Sequence, residues 1–254
     1  MSPHSSGSLN TDEIKLLTAR AEDLAKKASY CGHAVSDFLS PYERSVLGTL
    51  KYLQQDCNLS FYGGYDNAER TLAVFTPRGL EYSPDNEITV IVLDIRGGEV
   101  THRDILGSVM ALGITRAKTG DIITGKNTAY LICKSEISSY IIDNLERIGR
   151  CSVRSYIGSL QDLPEPETIQ RSFTVMSPRL DAVVSEGFSV SRTKAAEFIK
   201  GGICFHNWKN ELSASRTVNE GDVITLRGHG RIKIEEIGGH SRKGRTFVKV
   251  TIYK

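Results

Sequence analysis

The most informative segment of this 254-residue chain is RLDAVVSEGFSVSRTKAAEFIKGG, residues 179–202, in its last third. Gly187 separates two short helical segments, which begin near Arg179 and Arg192. Ser191, directly before the second segment, is a preferred N-cap residue. Because a helix N-terminus presents unpaired N–H groups and the positive end of the helix dipole, basic residues placed there predict a surface for a polyanion.

Short β-strands are predicted after this helix pair, each bounded by glycine or polar turns, at 203–206, 223–226, 233–237 and 247–253. Two helices followed by a small sheet indicate a compact α/β domain, which we place at 175–254.

The charge is divided unevenly along the chain. Residues 171–254 contain 15 Lys and Arg against 8 Asp and Glu, a net charge of +7, whereas residues 1–170 contain 17 against 22, a net charge of −5. This asymmetry predicts that the C-terminal part meets a polyanion, and RNA is the partner that we expect. The alternative is a basic domain that is merely well solvated.

The candidate RNA-binding residues lie on the two helices or beside a glycine-rich turn: Arg179, Asp181, Ser191, Arg192, Thr193, Lys194, Lys200, Arg227 and Arg231. Arginine suits forked contacts with phosphate. A carboxylate does not favour phosphate, so we expect Asp181 to orient a neighbouring arginine or to cap a helix. Asp222 follows a glycine and is predicted to be a turn residue.

The N-terminal part is predicted to be a small helical unit, 1–70. Residues 11–31 have apolar residues at helical spacing after a cap at Asn10 or Thr11, and a second helix begins at Pro41 and extends to about Gln55. The serine-rich start of the chain has no apolar segment typical of a secretory signal and is predicted to be a frayed tail.

The middle part, 71–160, has the order β-α-β-β-α-β that is typical of the ferredoxin-like fold. The predicted strands are 88–95, 121–124, 129–133 and 151–157, and the helices are 101–112 and 135–148. Residues 161–174 carry two prolines among acidic and polar residues and are predicted to be a linker. The predicted class is therefore α+β.

His102, Arg103 and Asp104 begin a helix and form a possible second binding surface. The same triplet occurs in protein kinases, but this chain has neither a glycine-rich phosphate loop nor an Asp-Phe-Gly motif. We therefore predict no catalytic residue here.

The five cysteines are odd in number and contain no pair with the spacing of a zinc ribbon, so a reducing cytoplasm is expected. Two close Cys/His pairs, Cys31 with His33 and Cys204 with His206, are more typical of buried thiols and incidental histidines than of metal ligands. We predict no metal, no cofactor, no membrane span and no DNA partner.

The motifs of the last third, in order, resemble the RNA-binding domain named after small-subunit ribosomal protein S-four: R-L-D, S-R-T-K-A, I-x-x-G, G-D-V-I and R-G-x-G-R. The resemblance implies that the two helices and the adjoining loop form the RNA face. This sequence departs from the family's Asn-Gly turn, since it has Asn207 and Trp208 there.

Residues 101–108, the stretch from Leu112 to Arg116 and residues 120–123 resemble the YlmH family, whose members join a helical unit, a ferredoxin-like domain and an S-four-type domain. The resemblance implies a bacterial, ribosome-associated factor that binds rRNA or tRNA. It also implies a role in the rescue of stalled large ribosomal subunits that carry peptidyl-tRNA.

Two other classes of protein are alternatives to a non-enzymatic RNA-binding protein. An RNA-modifying enzyme similar to pseudouridine synthases would use the C-terminal module for targeting, but the only Arg-Leu-Asp motif belongs to that module. A scaffold that binds an acidic protein through the basic domain would form complexes insensitive to ribonuclease.

Overall fold

The structure is a computed structural model, and it describes residues 9–54, 57–66, 68–164, 168–240 and 244–253. The predicted frayed tail, residues 1–8, lies outside the described residues. The chain contains both helices and sheets, in agreement with the predicted α+β class. Its contacts divide it into two compact units, one spanning Leu9–Pro164 and the other Glu165–Lys254.

The helices and strands of the first unit are, in chain order, α1 (Thr11–Cys31), β1 (Ala34–Leu39), α2 (Pro41–Thr49), β2 (Cys57–Tyr62), β3 (Thr71–Pro77), β4 (Ile88–Arg96), α3 (His102–Ala111), β5 (Thr119–Thr124), β6 (Thr128–Lys134), α4 (Ser138–Asn144), β7 (Arg147–Ile148) and β8 (Cys151–Gly158).

Local capping fixes the start of α1. The Asn10 side chain accepts hydrogen bonds from the backbone N–H groups of Asp12 and Glu13, and the Glu13 carboxylate accepts one from the Asn10 N–H at 2.8 Å. This reciprocal arrangement satisfies donors that the first helical turn leaves unpaired. The helix buries Ala21 and Ala28 against the sheet beside it.

The prediction of a purely helical N-terminal unit is wrong, because α1 and α2 pack with a three-stranded antiparallel sheet in the order β1-β3-β2. The second helix ends at Thr49, not near Gln55. β1 and β2 are short and depend on pairing with β3, which belongs to this sheet although it was predicted within the middle domain. Such distant pairing leaves a weak signal in the local sequence.

The middle of the first unit contains a five-stranded antiparallel sheet in the order β5-β6-β4-β8-β7. Ile91 and Leu93 of β4 are fully buried in a core that also contains Ile105 of α3 and Ile141 of α4. The two helices therefore cover one face of the sheet.

One helix of this region is shorter than predicted. The sequence predicts a single helix over 135–148, but α4 ends at Asn144 and Ile148 pairs with Cys151 in a short hairpin. Ile148 is almost fully buried, and an apolar residue can be buried on a helix or on a strand, so its apolar character did not distinguish the two.

The second unit contains β9 (Thr168–Val175), α5 (Leu180–Gly187), α6 (Arg192–Lys200), β10 (Cys204–His206), β11 (Lys209–Asn210), β12 (Val223–Leu226), β13 (Gly230–His240) and β14 (Thr246–Tyr253). Its six strands form one antiparallel sheet in the order β11-β10-β12-β13-β14-β9. Buried Leu180, Val183, Ala195 and Ile199 of the two helices pack into one core with the sheet.

The predicted linker, 161–174, is wrong over its second half, because residues 168–175 form the edge strand β9 along the whole length of β14. Most residues of β9 are exposed, and this explains why the composition resembles that of a linker. An edge strand needs few apolar residues when only one of its sides pairs.

Candidate nucleic-acid interface

Two arginines from different segments meet on one carboxylate in the C-terminal unit. Arg179, the N-cap residue of α5, donates from Nε and Nη2 to the two oxygens of Asp181, both at 3.1 Å. Arg192, the first residue of α6, donates from Nη2 to the same oxygens at 3.3 Å. The sequence predicted that Asp181 orients one neighbouring arginine, and in the structure it contacts two.

Asp181 is nearly buried while its partners are open to solvent. Its side chain is 9% exposed, against 40% for Arg179 and 57% for Arg192. Burial by itself raises the pKa of the Asp181 carboxyl, but the two arginines outweigh burial and lower the pKa below its usual value. The carboxylate therefore stays charged at neutral pH and orients two guanidinium groups that remain accessible.

The start of α6 carries the next group of predicted residues. The Ser191 hydroxyl accepts a hydrogen bond from the Lys194 N–H at 3.2 Å and caps the helix. Thr193 and Lys194 are exposed on the first turn, and Lys200 is exposed on the last residue of the helix. The first turn of α6 thus places two basic side chains next to its free N–H groups.

An aromatic contact connects α6 with the glycine-rich turn between β12 and β13. The Lys194 Nζ lies 5.1 Å from the ring centroid of Phe198, and the Phe198 ring lies 4.9 Å from that of His229. His229 is central in the turn that Arg227 and Arg231 flank. The structure therefore connects the start of α6 with this turn, and no pattern in the sequence singled out Phe198 or His229.

The two arginines of the turn have different surroundings. Arg227 is exposed and its guanidinium carbon lies 5.1 Å from the centroid of the Phe205 ring, a distance typical of a cation–π contact. Arg231 is half-buried and pairs with Thr225 in the sheet. Gly228 and Gly230 have φ of 81° and 105°, which only glycine adopts without strain.

Asp222, predicted to be a turn residue, connects the turn after β10 with the segment before β12. Its carboxylate lies 2.7 Å from His206 Nε2 and accepts from Asn207 Nδ2 at 2.8 Å and from the Asn219 N–H at 2.7 Å. Burial raises the pKa of this carboxyl, and these three partners together lower it below its usual value.

The departure from the Asn-Gly turn has a visible consequence in the hairpin between β10 and β11. Asn207 and Trp208 have φ of 50° and 62°, so both adopt the left-handed conformation of a two-residue hairpin turn. This conformation is uncommon for a bulky residue such as Trp208. Lys209, which follows the turn, is exposed and pairs with His206.

The possible second surface lies in the first unit, at the start of α3. The Thr101 side chain accepts from the Asp104 N–H at 3.3 Å, and the Asp104 carboxylate accepts from the Thr101 N–H at 2.9 Å. Asp104 is therefore a capping residue, while His102 and Arg103 are exposed on the first turn. Nearby protein atoms partly desolvate the His102 imidazole, and this desolvation, together with the charge of Arg116, lowers its pKa.

Arg70 and Asp121 join segments of the first unit that are distant in sequence. Arg70 donates to the carbonyl oxygens of Phe38 and Thr119 at 2.9 Å and to that of Arg116 at 3.1 Å. Asp121 accepts from the Tyr65 hydroxyl at 2.8 Å and from two backbone N–H groups of residues 69 and 70. Burial raises the pKa of Asp121 and lowers that of Arg116 to about 10. These contacts stabilise the fold.

Within the described ranges, no group of three or more His, Cys, Asp or Glu side chains has the arrangement of a metal site. No helix in the described part of the chain is long and apolar enough to cross a membrane.

Comparison with known proteins gives three similarities. Residues 85–161 match the family model described as “Putative RNA-binding domain in YlmH”. The “Ribosome-associated protein quality control protein P2” of Bacillus subtilis (strain 168) is 33% identical over 215 residues, which cover 82% of this chain and 83% of that protein. The solved “Cell division protein ylmH from Streptococcus pneumoniae” is similar with a TM-score of 0.51 and 21% identity, over 61% of this chain and 96% of that one. This last similarity concerns the fold alone.

Proposed function

This chain belongs to the YlmH family, and we propose from that membership that it is a ribosome-associated RNA-binding protein of translation quality control. Its RNA-binding residues would be those of the C-terminal unit. The partner would be rRNA or tRNA on the large ribosomal subunit, in the cytoplasm, and the role would be non-enzymatic.

The observation that carries this proposal is the pair of guanidinium groups held by one buried carboxylate. Arg179 and Arg192 are oriented by Asp181 before any ligand binds, so less side-chain entropy is lost when they contact phosphate. The capped start of α6 adds free N–H groups and Lys194 on the same helix turn. Structured RNA recognised by its shape and phosphates suits such a rigid basic surface.

The fold supports the assignment of the two named domain types, which we propose for this chain. The four long strands β4, β5, β6 and β8 are neighbours in the order second, third, first and fourth along the chain. This order and the two helices on one face match the ferredoxin-like pattern. The C-terminal unit, with two helices before a small sheet, is assigned to the S-four type, for which the YlmH membership is the support.

The surroundings of Asp181 argue against the alternative of an RNA-modifying enzyme. Both carboxylate oxygens already accept hydrogen bonds from arginines, and the residue is 6% exposed. A catalytic carboxylate must reach the reacting base within hydrogen-bond distance. This arrangement supports a binding role for the Arg-Leu-Asp motif over a catalytic one.

Sedimentation of cell lysate in a sucrose gradient tests the proposal. We expect the intact chain to migrate with the large subunit at low salt and to dissociate at high salt, because phosphate contacts weaken as salt rises. The variant Arg192→Ala/Lys194→Ala should stay at the top of the gradient. Arg20→Ala/Lys26→Ala, which removes the same charge from exposed positions of α1, should migrate as the intact chain does.

Two results would contradict the proposal. Co-migration of the Arg192/Lys194 variant with the subunit would show that these residues are not the contact. A ribonuclease-resistant complex at the top of the gradient would favour an acidic protein partner.

A further inference from the structure

The five-stranded sheet of the first unit has a second face, opposite α3 and α4. Side chains alternate along a strand, so Ile91 and Leu93 of β4 enter the helix-covered core while Val92, Asp94 and Arg96 project from the other face. The strand pairs fix which residues share that face, because cross-strand partners project to the same side.

The described residues of the unit cover only part of this second face. Val90 and Ile132 are buried against Phe38 and Leu72, which belong to the N-terminal sheet. The N-terminal sheet does not cover the C-terminal end of β4, where the Arg96 side chain is 74% exposed.

The uncovered part presents three arginines and one tyrosine, which we call the β8 face: Arg96, Arg147, Arg154 and Tyr156. Strand register places them together. Ser152 of β8 pairs with Arg96 on one side and with Arg147 on the other. Arg154 pairs with Asp94, and Tyr156 pairs with Val92. All four residues of the β8 face are exposed, Tyr156 at 46%.

The charge of this face is opposite to that of the sequence around it. Residues 1–170 carry a net charge of −5, yet the β8 face has three arginines. Asp94 is the acidic residue among them, and its carboxylate lies 3.5 Å from Arg96 in an exposed ion pair. One carboxylate leaves an excess of positive charge around the tyrosine ring. The surface is therefore complementary to a polyanion that also offers flat rings.

We propose that the β8 face binds a single-stranded segment of RNA. An unpaired base stacks on the exposed ring of Tyr156, and the neighbouring arginines contact the phosphates on either side. Stacking on an aromatic platform within a basic surface is how proteins bind single strands with little sequence preference. A duplex keeps its bases stacked on each other and cannot use the tyrosine in this way.

This inference rests on the proposed function for the premise that the chain acts on RNA, and the β8 face lies within residues 85–161, which match the RNA-binding domain model of the family. What the inference adds is the face, its residues and the single-stranded form of the RNA. It concerns the first unit and other residues, so the two can fail separately.

Fluorescence anisotropy of the intact chain with a short labelled oligouridylate, and with a duplex RNA of the same length, tests the β8 face. Tyr156→Ala should weaken oligouridylate binding by about five- to hundredfold and leave duplex binding unchanged. Tyr156→Phe, which retains the ring, should bind as the intact chain does. Tyr30→Ala, at a tyrosine that is 90% exposed on α1, is the matched control and should have no effect.

The arginines are tested by the salt dependence of the same binding. Arg96→Ala/Arg154→Ala should lower the slope of log affinity against log salt by about 1.4, the value for two phosphate contacts on a single strand. An equal change of charge at Arg20→Ala/Lys26→Ala should leave the slope unchanged. Ultraviolet cross-linking of the oligouridylate should label the peptide that contains Tyr156.

Equal oligouridylate affinity of Tyr156→Ala and Tyr30→Ala would overturn the inference, as would a salt slope unaffected by the arginine pair. If the Arg192/Lys194 variant leaves the ribosome in that case, the proposed function stands and only the β8 face is rejected. If instead Tyr156→Ala loses oligouridylate while the Arg192/Lys194 variant stays on the ribosome, the β8 face stands and the C-terminal contact is rejected.

Discussion

Arg192 at the start of α6 donates to Asp181 on α5, with its Nη2 atom 3.3 Å from each carboxylate oxygen. An acidic residue on a surface for RNA is unfavourable by itself, because phosphate and carboxylate repel each other. Here the acid is nearly buried and its charge is used to hold two exposed arginines. The arrangement explains how a carboxylate can belong to the proposed RNA-binding surface without facing the RNA.

Asp181→Asn should lower the free energy of unfolding of the C-terminal unit at pH 7 by about 1 kcal/mol. The value is modest since solvent screens the two half-exposed arginines. Trp208 is the single tryptophan and lies in this unit, so urea unfolding followed by its fluorescence measures the change. Glu186→Ala, an exposed substitution on the same helix, should have little effect.

The pH dependence of the Asp181 effect follows from its lowered pKa. A carboxyl with a lower pKa in the folded state stabilises fully above its unfolded pKa of about 3.9, and the stabilisation is lost as the pH falls through the folded value. The difference between the intact chain and Asp181→Asn should therefore be constant at neutral pH and shrink below about pH 4. A difference that grows toward acid would contradict the assignment.

Asp222→Ala should lower the free energy of unfolding by about 2–3 kcal/mol, which is more than we expect for Asp181→Asn. Removing this carboxylate leaves His206, Asn207 and the Asn219 N–H without their common acceptor in a buried place. Urea unfolding followed by Trp208 fluorescence is again the measurement. A loss no larger than that of Glu186→Ala would show that solvent replaces the carboxylate at little cost.

Arg70→Met should destabilise the first unit by about 2–4 kcal/mol, because three carbonyl oxygens lose their donor. Far-ultraviolet circular dichroism during urea unfolding should detect the change, while the Trp208 transition of the other unit stays in place. Arg20→Ala, at an exposed position of α1, is the control. Equal transitions for the two variants would refute a structural role for Arg70.

Cys31 should be the one thiol that reacts rapidly with a disulfide reagent in the native protein. It is exposed, whereas the other four cysteines are buried and the pKa values of Cys133 and Cys204 are raised to about 12 by burial. All five should react after denaturation. Rapid reaction of Cys31→Ser would show that another thiol opens in the native state.

Local signals in the sequence predicted the starts of the helices better than their ends. Asn10, Thr101 and Ser191 each cap a helix through contacts within three residues, and α6 lies where its glycine and serine place it. The strand β4 was also predicted from local sequence, because a run of buried β-branched residues favours a strand whatever its partners are. These features depend on interactions between near neighbours in the chain.

Pairings between distant residues decided the rest. The sequence of β9 resembles a polar linker, and its strand conformation depends on pairing with β14. In the same way, the strand conformation of β1 depends on pairing with β3. The sequence selected Arg179, Asp181 and Arg192, but the contact of Asp181 with both arginines exists only once α5 and α6 pack.

The β8 face shows the same division most clearly. Each of its residues is an ordinary arginine or tyrosine in the sequence, and strand register brings them to one side of a sheet. The starts of the helices, the apolar positions and the concentration of positive charge could be predicted from the amino-acid sequence, because those properties are local. Which charges share a surface depended on the tertiary fold, because strand register and helix packing join residues that are distant in the chain.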